Sequence, residues 1–176
     1  DIFLPDCFGF GWTLPTVASH CGLIGFSSQK LDWRVHPFYG KSKHPFTIGL
    51  WKGIDGSSIM LAHGYDYGRR WNDEDLSENE QLKELAGRTP LNNTVYRYYG
   101  TGDIGGSPTL ASVRSVEKGL RGNGPVEIVS ATSAQLYNDY LPYTNHPELP
   151  VFDGEQLMDV HGSGCYPSQA AIKLYS

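Results

Sequence analysis

The first 28 residues alternate an apolar run, a glycine turn, a helical stretch and a second apolar run, and this order most constrains the fold. Ile2 to Pro5 reads as a strand that empties into Cys7-Phe8-Gly9-Phe10-Gly11. Thr13 stands where a helix N-cap belongs, and Pro15 falls in the first helical turn, where its missing N–H does no harm. Cys21-Gly22 closes that helix, and Leu23 to Phe26 starts the next strand. Two strands joined through a crossover helix run parallel. The expectation is therefore an α/β fold with mostly parallel strands.

The rest of the chain supplies more of both elements. Phe46 to Trp51 and Ser58 to Ala62 read as strands around Gly53-Ile54-Asp55-Gly56, whose Asp-Gly step is a strong turn signal. Asp73 to Leu85 predicts one acidic helix with a sparse face of Leu76, Leu82 and Leu85. Thr94 to Tyr99 alternates like a strand and runs into the glycine-rich GTGDIGG. Ser107 and Pro108 predict a helix start, with Leu110, Val113, Val116 and Leu120 as its apolar face. Val126 to Val129 predicts a strand, Thr132 or Ser133 caps a helix through Leu136, Tyr137 and Tyr140, and Gln156 to Val160 predicts a last strand. A final helix opens at Pro167-Ser168-Gln169. Without internal repeats or low-complexity linkers, one domain over 1–176 is the simplest organisation.

Charge and apolar content exclude several classes of partner. With 14 basic against 19 acidic residues the net charge is −5, which offers no field for nucleic acid or an anionic membrane surface. No apolar run reaches the length of about 18 residues that a spanning helix needs. Cys7, Cys21 and Cys165 form an odd set without CxxC spacing, so a zinc knuckle or disulfide framework is not expected. The sequence opens without Met on a strand already in progress, which reads as a piece of a longer protein and leaves localisation undecided.

Three polar residues occupy loops that follow strand-like runs: Asp6, Asp103 and His161. In α/β folds the loops at the carboxyl ends of strands carry the chemistry. Each has an ordinary alternative: Asp6 as an Asx-turn, Asp103 as a turn residue before a helix, His161 as a structural histidine. GTGDIGGSPT lacks the Lys-Ser/Thr of a phosphate loop, and its glycine spacing fits no dinucleotide fingerprint. The other five histidines show no paired ligand spacing. Trp12, Trp33 and Trp51 are candidates either for a sugar pocket or for the core. Taken together, two carboxylates and a strand-end histidine form the inventory of a metal-assisted glycoside hydrolase.

Longer motifs sharpen that inventory. LPDCFGFGWTLP with GFSSQKLDW, then YYGTGDIGGSPT, then LPVFDGEQLMDVHGSGCYPSQAAIK occur in order and are spread over residues 4–173. These blocks resemble glycoside hydrolase family 38, the class II α-mannosidases. The resemblance implies a partial (β/α) barrel, and a fragment of one catalytic domain acting on α-mannoside carbohydrate. It makes Asp6 the catalytic nucleophile and a zinc ligand, Asp103 the acid/base, and His161 a second zinc ligand. Lys30, Trp33, Tyr65 and Asp66 fall in blocks that neighbour the substrate. The family adds two zinc ligands from a His-x-Asp pair that this sequence lacks, so an incomplete zinc site and little turnover by this chain alone are expected. Family members retain anomeric configuration, which implies carboxyl groups roughly 5–5.5 Å apart. A polysaccharide deacetylase-like metal hydrolase and a non-catalytic carbohydrate-binding piece are the alternatives; the former would call for an HxxxH ligand pair that the sequence does not contain.

Overall fold

A computed structural model describes residues 1–29, 48–63, 70–87, 91, 93–103, 105–157 and 174. The expected strand, helix and strand are there as β1 (Ile2–Phe3), α1 (Leu14–His20) and β3 (Gly25–Ser28), while Gly9–Phe10, read as part of a glycine turn, forms a short strand, β2. Pro15 sits in the first turn of α1, and Gly22 adopts φ +74° just beyond Cys21, a left-handed ending open to glycine. β4 (Ile48–Lys52) and β5 (Ser58–His63) form the anticipated hairpin around the Gly53–Gly56 turn.

These strands join β6 (Val151–Asp153) in a five-stranded sheet of order β1-β3-β5-β4-β6. The pairs β1–β3, β3–β5 and β4–β6 are parallel; only the hairpin pair β4–β5 is antiparallel. The α/β class and the mostly parallel pairing hold. The partial barrel is not seen among the described residues, because β1 and β6 remain as edges of an open sheet. A second, two-stranded sheet pairs β2 antiparallel with β7 (Gln156–Leu157).

Alternation along the strands gives the sheet two apolar faces. One face carries Phe26, Trp51, Ile59 and Leu61, covered by Phe10 and by Ala18 of α1. The other carries Ile48, Leu50, Met60 and Ala62, covered by α4 (Ser133–Tyr140) through Leu136, Tyr137 and Tyr140. Gly25 lies directly under the Tyr137 ring, and a Cβ there would overlap ring carbons. On the first face Phe26 makes edge contacts with Phe10 at 4.7 Å and Trp51 at 5.4 Å. Trp51 is thus core, and its indole N–H donates to the Gly154 carbonyl at 2.9 Å.

Asp55, at the hairpin turn, ties β4 and β5 to α1. Its carboxylate accepts from the Ser57 hydroxyl (2.6 Å), the Ser57 N–H (3.0 Å) and the Thr16 hydroxyl (2.9 Å), and meets His20 Nε2 at 2.7 Å. The Ser57 hydroxyl foremost, then the His20 ring, holds the Asp55 carboxyl well below the usual carboxylate range. A depressed native pKa adds stability above the unfolded value of about 3.9, and that stability is lost as pH falls through the native value. Asp55→Asn should therefore lower the melting temperature at neutral pH, with the gap from wild type narrowing below about pH 4. Thermal melts across pH check this; a gap that widens in acid would contradict it.

The middle of the chain departs from expectation in four places. The acidic helix is broken: a 3-10 turn (Leu76–Glu78) precedes α2 (Glu80–Gly87). Asn79 lies extended between them and its side-chain oxygen accepts from the Leu82 N–H, so capping there outweighs helix continuation. Thr94 to Tyr99 forms no strand; its tyrosines pack by their rings, Tyr98 stacking on Phe3 at 4.3 Å and meeting Tyr96 edge-on at 4.9 Å. Val126 to Val129 is likewise not a strand, and Val126 and Ile128 pack on a small cluster of Trp71, Leu76 and Leu82.

The fourth departure is α3 (Leu110–Arg121), which is capped by Thr109 and buries Ser112, Ser115 and Gly119. Leu110 and Leu120 are exposed instead. The serine hydroxyls accept from the backbone N–H groups of Trp71 and Glu74, each at 2.9 Å, and Gly119 leaves room for Leu76 and Ile128. Satisfying a loop's backbone fixes this helix face where apolar periodicity alone points elsewhere.

Candidate functional site

The parallel run β1-β3-β5 aligns the carboxyl ends of three strands along one edge. β1 pairs with β3 beyond its formal end, since the Leu4 N–H donates to the Ser27 carbonyl at 3.1 Å. Asp6 follows two residues later, exposed, in the turn that leaves this edge. β3 ends there at Ser28, and β5 ends there at His63, its partner in register. Both side chains are buried. A cavity lined by Leu23, Ile24, Leu50, Met60 and Leu141 lies instead at the amino ends of β3 and β5, away from Asp6.

Asp103 lies in the loop before α3, exposed and at φ +59°. Aspartate is among the few residues that tolerate this left-handed conformation. Gly105 at φ +71° and Gly106 at φ +127° continue the turn where bulkier residues would be strained. The stack of Tyr98 on Phe3 brings the segment leading to Asp103 beside β1, the strand leading to Asp6. Tyr98 lies five residues before Asp103, and Phe3 three before Asp6.

The remaining expected site residues, Lys30, Trp33, Tyr65, Asp66 and His161, lie outside the described residues. β7 runs antiparallel to β2, with Phe10 opposite Gln156 and Gly9 opposite Leu157, so the described chain is heading back toward Asp6 where β7 ends. His161 follows four residues after Leu157. Of the tryptophans, Trp12 is partly exposed and donates to the Lys52 carbonyl at 3.0 Å, a contact that locks α1 to β4.

Three buried polar side chains at the same edge are not singled out by the sequence: Ser28, His63 and Gln156. Ser28 lies in a strand where it counts only as part of a run, and His63 lacks a ligand-spaced neighbour. Gln156 reaches the edge only through the long-range β2–β7 pairing. No local signal marks such positions.

As for the zinc implied by the motifs, Asp6 and His161 make two candidate ligands, fewer than the three or four such a site needs. Among the described residues no group of three or more His, Cys, Asp or Glu side chains could hold a metal ion. The described residues therefore do not compose a zinc site.

A mostly parallel sheet with Asp6 in the turn at its carboxyl edge defines an α/β protein of the class in which loops at that edge commonly hold ligands. Within that class the chain belongs to glycosyl hydrolases family 38, residues 1–155 matching the family's N-terminal domain. Similar proteins are Alpha-mannosidase G of Dictyostelium discoideum, 31% identical over 98% of this chain, and Alpha-mannosidase 2C1 of Homo sapiens, 26% identical over 98%. An Alpha-mannosidase of Saccharomyces cerevisiae is 30% identical over 97%. The chain spans 15–16% of the length of these relatives.

Proposed function

We propose that this chain contributes the nucleophile-bearing part of a catalytic domain that hydrolyses terminal α-mannosidic bonds with retention of configuration. The observation that carries the reading is the position of Asp6: it stands in the turn after β1 at the carboxyl edge of the sheet, inside the matched family domain. In this reading the Asp6 carboxylate attacks the anomeric carbon while the Asp103 carboxylic acid protonates the departing glycosidic oxygen. The glycosyl-enzyme ester is then opened by water, which gives its proton to the Asp103 carboxylate and restores both groups. The ring stack that joins the Asp103 segment to β1 supports a shared cleft for the two acids.

Lys30, Trp33, Tyr65 and Asp66 are proposed to contact substrate. Zinc belongs to the proposal only through Asp6 and His161, and no step is assigned to it. The stereochemical test is direct. Full-length protein incubated with an aryl α-mannoside should release α-mannose as the first anomer seen by NMR, before mutarotation. β-Mannose appearing first would exclude a covalent intermediate on Asp6.

A further inference from the structure

We propose that Ser28 and Gln156 form an inner polar wall of the Asp6 cleft that hydrogen-bonds adjacent hydroxyls of a bound sugar ring. This deepens, and rests on, the glycosidase reading of that cleft. Ser28 lies two residues beyond Phe26 on β3, hence on the same face of the sheet; His63 stands in the same relation to Leu61 on β5. That face is the one on which Phe10 packs, 4.7 Å from Phe26. Gln156 is registered opposite Phe10, so its side chain shares the side of the ribbon that Phe10 turns to the sheet. The layer between ribbon and sheet is thus apolar at Phe10, Phe26 and Leu61, and turns polar toward the carboxyl edge where Asp6 stands.

Two of the polar side chains in this layer, Ser28 and Gln156, are enclosed and unsatisfied. Ser28 and Gln156 are both 0% exposed. The Ser28 hydroxyl and both amide atoms of Gln156 have no hydrogen-bond partner. Native interiors seldom keep such atoms, since alanine or leucine would avoid the desolvation they incur. Their chemistry suits a ligand: an amide sets a donor beside an acceptor, and a hydroxyl offers both, the pattern that neighbouring sugar hydroxyls match. Closed over by the ribbon, these groups would contribute to binding only when a polyol enters from the Asp6 side.

The test compares Ser28→Ala, Ser28→Thr and Gln156→Leu with wild type. Each is titrated with methyl α-D-mannoside and methyl α-D-glucoside by NMR, and melted without sugar. Ser28→Ala and Gln156→Leu should weaken mannoside binding at least about tenfold, yet melt at or above the wild-type temperature, while Ser28→Thr keeps binding. Unchanged affinity in the variants overturns this inference and leaves the mannosidase reading intact. Binding of the glucoside alone, lost in the same variants, overturns the mannoside reading and keeps the inference. Variants that melt lower yet bind normally, or a wild type that binds neither sugar, overturn the inference.

Discussion

Asp6→Asn in the full-length protein is expected to reduce turnover of an aryl α-mannoside by at least about a thousandfold, because the proposed ester forms on this carboxylate and an amide cannot take its place as nucleophile. Substrate binding should change far less, since the amide keeps the shape of the acid. Asp103→Asn should behave differently. A general acid matters most when the leaving group is poor, so this variant should retain ester formation from an activated aryl mannoside and lose it for an alkyl one. Steady-state rates on the two substrates separate the roles. Loss of binding without selective loss of turnover would favour a carbohydrate-binding piece over an enzyme.

Gly25→Ala carries the second large effect, this time on stability. A methyl group at Gly25 would enter the ring of Tyr137, which is buried and packs among Ile48, Leu50, Met60 and Leu136. Neither side has room: β3 is held by ladders to β1 and β5, and α4 is held by three buried side chains. Overpacking of this kind costs about 1–3 kcal/mol. For a chain of this size, that is a drop of roughly 2–12 °C in melting temperature. Adding Tyr137→Leu should return part of the loss, which a double-mutant cycle would read as coupling. Equal melting of wild type and Gly25→Ala would mean that α4 does not sit on β3 as described.

Local chemistry makes part of this fold legible in the sequence. The opening βαβ unit and the Asp-Gly hairpin follow from turn residues and apolar runs only a few positions long, so the sequence carries their order, though β2 is hidden in what reads as a glycine turn. α3 is misread because its Ser112 and Ser115 hydroxyls serve a loop some forty residues earlier, a demand that periodicity does not register. Thr94 to Tyr99 is misread because ring stacking on Phe3 substitutes for a ladder. The same division applies at the site. Asp6 and Asp103 are visible beside glycine turns, whereas Ser28, His63 and Gln156 gain meaning only through strand register and ribbon pairing.

The ribbon has a consequence for biosynthesis. Phe10 leaves the ribosome roughly 150 residues ahead of its partner Gln156, a delay of about 7 to 30 seconds at about 5–20 residues per second. Until then Phe10, Phe26 and Trp51 lack the cover that β7 and the Gly154 carbonyl provide. The nascent chain therefore passes through an interval with its aromatic layer open to solvent, and holding chaperones that recognise such surfaces have their time to act there.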